Sequence, residues 1–134
     1  MYDKFSQALE YHSKGFNCAQ SVVLPFCEEL GLDYTVLSRV AEGFGGGMGG
    51  YELICGALSG AIIVAGLKLA DGNLESPQSK LHTYAVVKEI IKKFEKTCGS
   101  TLCPVIKGLE CGEVLKSCQD CIITGVTLAE EISK

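Results

Sequence analysis

The sequence predicts an all-α fold, a single-domain bundle of about five to six helices in which a glycine-rich loop leads into a buried central helix. Three observations carry that expectation. Apolar residues recur three and four apart along most of the 134 residues, and no segment alternates at the two-residue period of a strand. Asn, Ser, Asp and Gly stand where those apolar runs should start and stop.

Phe5, Leu9 and His12 mark one face of a first short helix, which Gly15 ends. Asn17 then caps a second helix whose apolar face is Val22, Val23, Phe26, Cys27 and Leu30, closed by Gly31. A third short helix covers Thr35 to Ala41. After it, Gly43-Phe44-Gly45-Gly46-Gly47-Met48-Gly49-Gly50 holds six glycines in eight residues and cannot be a helix interior. The chain next enters a long apolar helix near Cys55, where Gly56 and Gly60 with Ala57 and Ala61 leave a surface without bulk.

Asp71-Gly72-Asn73 ends that helix, and Ser76-Pro77 reads as the cap and first position of the next, running to about Lys96. Its core stripe is Tyr84, Val87, Ile91 and Phe94, with Cys98 next in the series, opposite a solvated face of Lys88, Lys92, Lys96, Glu89 and Glu95. Cys98 to Cys121 is irregular, with five cysteines, three glycines and Pro104. A last helix follows with Ile122, Val126, Ala129 and Ile132 inward and Glu130, Glu131 and Lys134 outward.

The totals narrow the function. Twelve Lys plus Arg against sixteen Asp plus Glu give a net charge of −4, which argues against a nucleic-acid partner. The apolar stretch Leu53 to Leu67 is fifteen residues, short of the ~20 that span a bilayer, so the central helix is read as buried and not membrane-spanning. The first residues lack the pattern of a signal peptide, so the expected location is cytoplasmic, where thiols are kept reduced. In that compartment eight cysteines point to metal binding or redox chemistry before a disulfide framework.

Four of the cysteines stand at expected helix starts: Cys18 after Asn17, Cys55 before Gly56, Cys103 before Pro104, and Cys121 before Ile122. A helix N-terminus offers unpaired N–H groups and the positive end of the macrodipole, which favours thiolate over thiol. Tetrathiolate coordination suits iron–sulfur clusters or zinc, since soft sulfur selects those metals. Cys118-Gln-Asp-Cys121 is the single C-x-x-C, and neither His12 nor His82 has zinc-finger spacing. Cys27 and Cys98 sit on apolar faces and read as packing, as free cysteine commonly does. The glycine run contains the letters of G-x-G-x-x-G, but no strand precedes it and no Lys-Ser/Thr follows. Its better use is to bring backbone N–H groups close to a cluster or anion beside Cys55.

Gly15-Phe16-Asn17-Cys18-Ala19-Gln20-Ser21-Val22, Gly43-Phe44-Gly45-Gly46-Gly47-Met48-Gly49 and Cys55-Gly56-Ala57-Leu58-Ser59-Gly60-Ala61 together resemble the C_GCAxxG_C_C family of redox-active proteins. The resemblance implies four characteristic cysteines: Cys18, Cys55, Cys103 and, just ahead of the last helix, Cys121, with Cys118 close enough to take its place. Pro104-Val105 departs from the basic and acidic pair that usually follows the third cysteine. The family is similar to the cluster-bearing part of split-Soret cytochromes, although this chain has no C-x-x-C-H and hence no expected covalent haem. The implied role is redox-linked, often beside transporter genes.

The leading expectation is an iron–sulfur cluster, most simply 2Fe–2S, held by Cys18, Cys55, Cys103 and Cys121 in an electron carrier or redox sensor whose partner protein is unknown. One alternative is a thiol–disulfide oxidoreductase in which Cys18 or Cys55 attacks and another cysteine resolves. The other is a zinc- or copper-binding trafficking module serving a membrane transporter. The small-residue face of the central helix and an apolar content of 47% add the expectation of a homodimer.

Overall fold

The computed structural model describes residues 3–108 and 112–132, and the regular structure among them is helical. Helix α1 (Lys4–Ser13) opens at Asp3, whose carboxylate accepts from the Ser6 amide at 2.7 Å. Helix α2 (Cys18–Val23) opens at Asn17, as the sequence predicts. Asn17 Oδ1 accepts from the Gln20 amide at 2.9 Å while Gln20 Oε1 accepts from the Asn17 amide at 3.0 Å, a reciprocal box that satisfies two otherwise orphaned donors. The buried Gln20 Nε2 also donates to the Ser38 carbonyl at 3.0 Å, tying α2 to helix α4 (Tyr34–Glu42). Asp33 caps α4 through the Thr35 and Val36 amides, at 2.7 and 3.1 Å.

The single helix expected from Asn17 to Gly31 is interrupted. The backbone tightens into one 3₁₀ turn over Leu24–Phe26 before helix α3 (Cys27–Leu30). Pro25 has no N–H to extend the α ladder, and its ring crowds the preceding carbonyls.

Helix α5 (Gly56–Leu69) is the buried centre, and α2, helix α6 (Lys80–Cys98) and helix α8 (Cys118–Glu130) all pack on it. A Cβ on Gly60 would lie 2.8 Å from Val22 Cβ and 2.9 Å from the Ala19 carbonyl oxygen, so the bulk-free surface lets α2 come to backbone contact. Around it Phe26, Leu58, Val64, Phe94, Ile122 and Val126 are fully buried, each stabilising the fold by about 1.5–3 kcal/mol. At the far end the Lys68 ammonium, 4% exposed, donates to the Ala129 and Ile132 carbonyls at 2.9 and 3.3 Å and closes the end of α8.

The helix expected to start at Ser76-Pro77 starts instead at Lys80. Asn73 Oδ1 accepts from the Glu75 and Ser76 amides and Asp71 Oδ2 from the Gln78 amide, which holds the segment as a loop of Asx turns. The core face also differs: Tyr84 is 62% exposed, while Ile90, Phe94 and Cys98 are buried. The last helix begins earlier than expected, because Ser117 Oγ accepts from the Asp120 amide at 3.1 Å and places Cys118 and Cys121 in its first turn. Its inward residues Ile122, Val126, Ala129 and Ile132 are buried as expected; Lys134 lies outside the described residues. The short α3 and helix α7 (Cys103–Lys107) raise the number of helical segments above the number expected. Among the described residues no helix is long and apolar enough to cross a membrane.

Candidate redox centre

Four helix starts meet at one cavity. Cys18 is the first residue of α2, Cys55 occupies the cap position of α5, Cys103 is the first residue of α7 and Cys118 the first of α8, with Cys121 at the end of the same turn. All five line a cavity with Gly46, Gly47, Gly56, Ile106, Lys107 and Lys116, in which about 30 Å³ is open to the centres of water-sized molecules. The convergence has a backbone cause. Ile54 and Leu102 form an isolated antiparallel bridge, with the Cys55 amide donating to the Thr101 carbonyl and the Cys103 amide to the Leu53 carbonyl, both at 2.8 Å. This bridge pins the second and third cysteines side by side.

The glycine run builds one wall. Gly46, Gly47 and Met48 all take left-handed φ, at 58°, 58° and 67°, so the chain turns against the hand of a normal helix. At Gly47 a Cβ would stand 2.7 Å from Cys103 Cβ, which makes this the position where only hydrogen fits beside the thiol. The run therefore lies against the cavity cysteines.

The thiols interact in a connected set. Cys18 is near enough to Cys118, and Cys121 to Cys55 and Cys98, for these thiols to shift one another's acidity. Their acidities diverge accordingly. The neighbouring Cys121 thiol, seconded by the Ala57 and Leu58 amides at the start of α5 and by the Lys107 charge, outweighs burial and holds the Cys55 thiol down at about 7. Burial, with the neighbouring Cys118 and Cys55, pushes the Cys18 thiol up to about 12. Cys121 is raised as the partner of two sulfurs, and Cys103 is raised by burial against the pull of Lys107. Burial would lower the Lys107 ammonium, but Cys118, Cys103 and Cys18 together raise it. Lys107 also stands 5.0 Å above the Tyr51 ring.

Cys18, Cys55, Cys103 and Cys121, the residues expected from the sequence, are thus brought to one place, and so is Cys118. Cys27 lies in the apolar core, in keeping with its reading as packing. Cys98 is buried too, and Cys121 near it holds its thiol below the ordinary range, a neighbour that the apolar spacing did not reveal. Cys111 lies outside the described residues. Lys107 and Lys116 were missed; the first stands four residues after Cys103 on α7, a helical spacing that could have marked it.

A family model described as "Putative redox-active protein (C_GCAxxG_C_C)" matches residues 16–132. The chain belongs to the C_GCAxxG_C_C family. No curated protein and no solved structure matches it. The matched span contains all the cavity cysteines of this C_GCAxxG_C_C protein, from Cys18 to Cys121.

The donor set can be tested against a metal centre. Among the described residues, no three or more His, Cys, Asp or Glu side chains are gathered to hold one ion. The thiols of Cys18, Cys55, Cys103, Cys118 and Cys121 instead line the wall of one cavity. A mononuclear zinc site draws four donors to a single point, whereas a 2Fe–2S cluster divides four thiolates between two irons. Soft sulfur donors beside two lysines and several helix N-termini suit the negative charge of either thiolate-held group.

Proposed function

We propose that this C_GCAxxG_C_C protein is an electron carrier or redox sensor built around a cysteine-ligated iron–sulfur cluster, most simply 2Fe–2S. The observation that carries this reading is the meeting of five cysteines, at or near four helix starts, around one cavity beside Lys107 and Lys116. Cys18, Cys55, Cys103 and Cys121 would hold the group, and Cys118 lines the same cavity. When bound, such a cluster supplies reversible one-electron transfer. The residues themselves do the rest: the α5 amides and Lys107 stabilise thiolate at Cys55, and the Gly46–Gly47 wall and Ile106 narrow the access of water. On this reading the protein acts in the cytoplasm with a separate redox partner, as a homodimer or beside a membrane transporter. Sedimentation of the purified chain tests the dimer.

The ligand set is tested by serine substitution with iron content and visible absorption as readouts. Cys55→Ser abolishes both and Cys27→Ser leaves both. Comparing Cys118→Ser with Cys121→Ser decides between the two cysteines of α8. Equal loss in Cys55→Ser and Cys27→Ser would sink the assignment.

A second reading, thiol–disulfide exchange, is favoured by one observation: Cys55 and Cys121 line the same cavity, and Cys121 helps hold the Cys55 thiol down at about 7. Cys55 thiolate would attack a disulfide sulfur and release one thiolate, and Cys121 would then displace the second, leaving a Cys55–Cys121 disulfide and a substrate reduced by two electrons. Alkylation of metal-free protein across pH separates Cys55 from an ordinary thiol. A midpoint near ~8.5, the value of an unperturbed cysteine, would remove this reading.

A further inference from the structure

The exposed apolar side chains of this protein are not evenly scattered. Among the described residues, seven of the fourteen large ones lie on two stretches, 48–53 and 102–115, each of them 39–62% exposed. The backbone joins the stretches into one surface. The Leu53 carbonyl accepts from the Cys103 amide and the Ile106 carbonyl from the Leu115 amide, both at 2.8 Å, and the Lys107 ammonium stands 5.0 Å from the centre of the Tyr51 ring. Gly47, next to Met48, and Cys103, next to Leu102, line the cavity, so this surface is its rim. Contiguous exposed apolar surface marks a place of association. Met48 and Tyr51 also take left-handed φ, 67° and 57°, which residues other than glycine rarely adopt. Folding of one chain gives little in return for that strain, because both side chains stay half in water.

We infer that a second copy of this chain covers the rim, across a two-fold axis that turns the two cysteine cavities toward each other. The inference rests on the homodimer proposed above and gives it a surface; it does not depend on which group the cysteines hold. Charge selects a second copy over a different redox protein. The rim carries Glu52 and Glu113, which are exposed, and Lys107 and Lys116, which are half-buried. Two charges of each sign present no net field to steer a partner of opposite charge. Under two-fold symmetry the same patch meets itself, and each carboxylate can face an ammonium of the other copy. Two chains of net charge −4 repel each other, so they associate best through a face where the charges balance. The small-residue surface of α5 is not available for the purpose. A Cβ on Gly56 would lie 3.2 Å from the Ala19 nitrogen and one on Gly60 2.8 Å from Val22 Cβ, so α2 already covers it.

The test is sedimentation equilibrium of the full chain, purified without oxygen, over a dilution series. Wild type is compared with Leu53→Glu and Val105→Glu on the rim and with Val36→Glu on α4, an equally exposed valine away from it, and circular dichroism checks the fold of each. Wild type is expected to dimerise. Each rim variant should raise the dimer Kd by about a hundredfold, since one substitution enters a two-fold interface twice, and Val36→Glu should leave it unchanged. Rim variants that dimerise as wild type does would overturn the rim and leave the homodimer standing. Wild type that is monomeric at every concentration would overturn both. Hydroxyl-radical labelling of wild type decides the matter even if the variants fold poorly. Tyr51 should become protected as the chain dimerises while Tyr84, 62% exposed on α6, does not; unchanged labelling of Tyr51 would overturn the rim.

Discussion

Replacing Asn17 tests how the sequence aims Cys18 at the cavity. The Asn17 carboxamide does two things: Oδ1 caps α2 through the Gln20 amide at 2.9 Å, and Nδ2 donates to the Glu42 carbonyl at 2.8 Å, joining the start of α2 to the end of α4. Losing the cap costs about 1 kcal/mol, and losing the second bond about another 1 kcal/mol. Asn17→Ala should therefore destabilise the protein by about 2 kcal/mol, a fall in Tm of about 8 °C for a domain of this size. Asn17→Asp keeps the cap and adds a favourable charge at the helix start, but it cannot donate to Glu42, so it should lose about half as much. Circular dichroism melts and urea titrations of metal-free protein measure both, and the rate of Cys18 alkylation should rise in Asn17→Ala as the first turn frays. If Asn17→Asp proves as damaging as Asn17→Ala, or if neither moves stability by more than about 0.5 kcal/mol, the assignment of Asn17 as the cap that positions Cys18 is wrong.

Gly60→Ala puts a methyl group against Val22 and the Ala19 carbonyl, and should cost about 1–3 kcal/mol in urea unfolding by forcing α2 off α5; a neutral result would contradict the close packing. Lys68→Met strips the Ala129 and Ile132 carbonyls of their buried donor and should cost about 1–3 kcal/mol while leaving cysteine reactivity unchanged, which a parallel thiol assay checks. The Cys55 thiol is depressed from the ordinary cysteine value of about 8.5 to about 7, so its contribution to stability is fully present above the ordinary value and is lost as pH falls through about 7. Removing the charge with Lys107→Met should move that midpoint upward; no movement in the alkylation profile would show that Lys107 does not act on Cys55.

The sequence reveals most about the centre where chemistry and local structure coincide. Asn17 before Cys18 and Pro104 after Cys103 announce helix starts through backbone rules that need no tertiary context, and both starts are present. Cys118 is harder, because its place depends on Ser117 acting as cap, and Ser117 competes with several other polar residues in an irregular stretch. Ser76-Pro77 misleads for a related reason: a sound local signal for a helix start loses to the Asx turns of Asp71 and Asn73, which occupy the same amides. The Cys103–Leu53 backbone bond joins residues far apart in the chain, and no periodicity encodes such a pair. Tyr84 fits a helical stripe by spacing, yet it sits near the start of α6 and is exposed.

The central claim is that the cavity cysteines hold an iron–sulfur cluster, and its most direct test is the iron and acid-labile sulfide content of protein purified without oxygen, read with its visible spectrum. Iron and sulfide in equal amounts, two of each per chain for a 2Fe–2S centre, with sulfur-to-iron charge-transfer absorption, is the result the account predicts. Colourless protein free of metal, or protein carrying zinc alone, would contradict it.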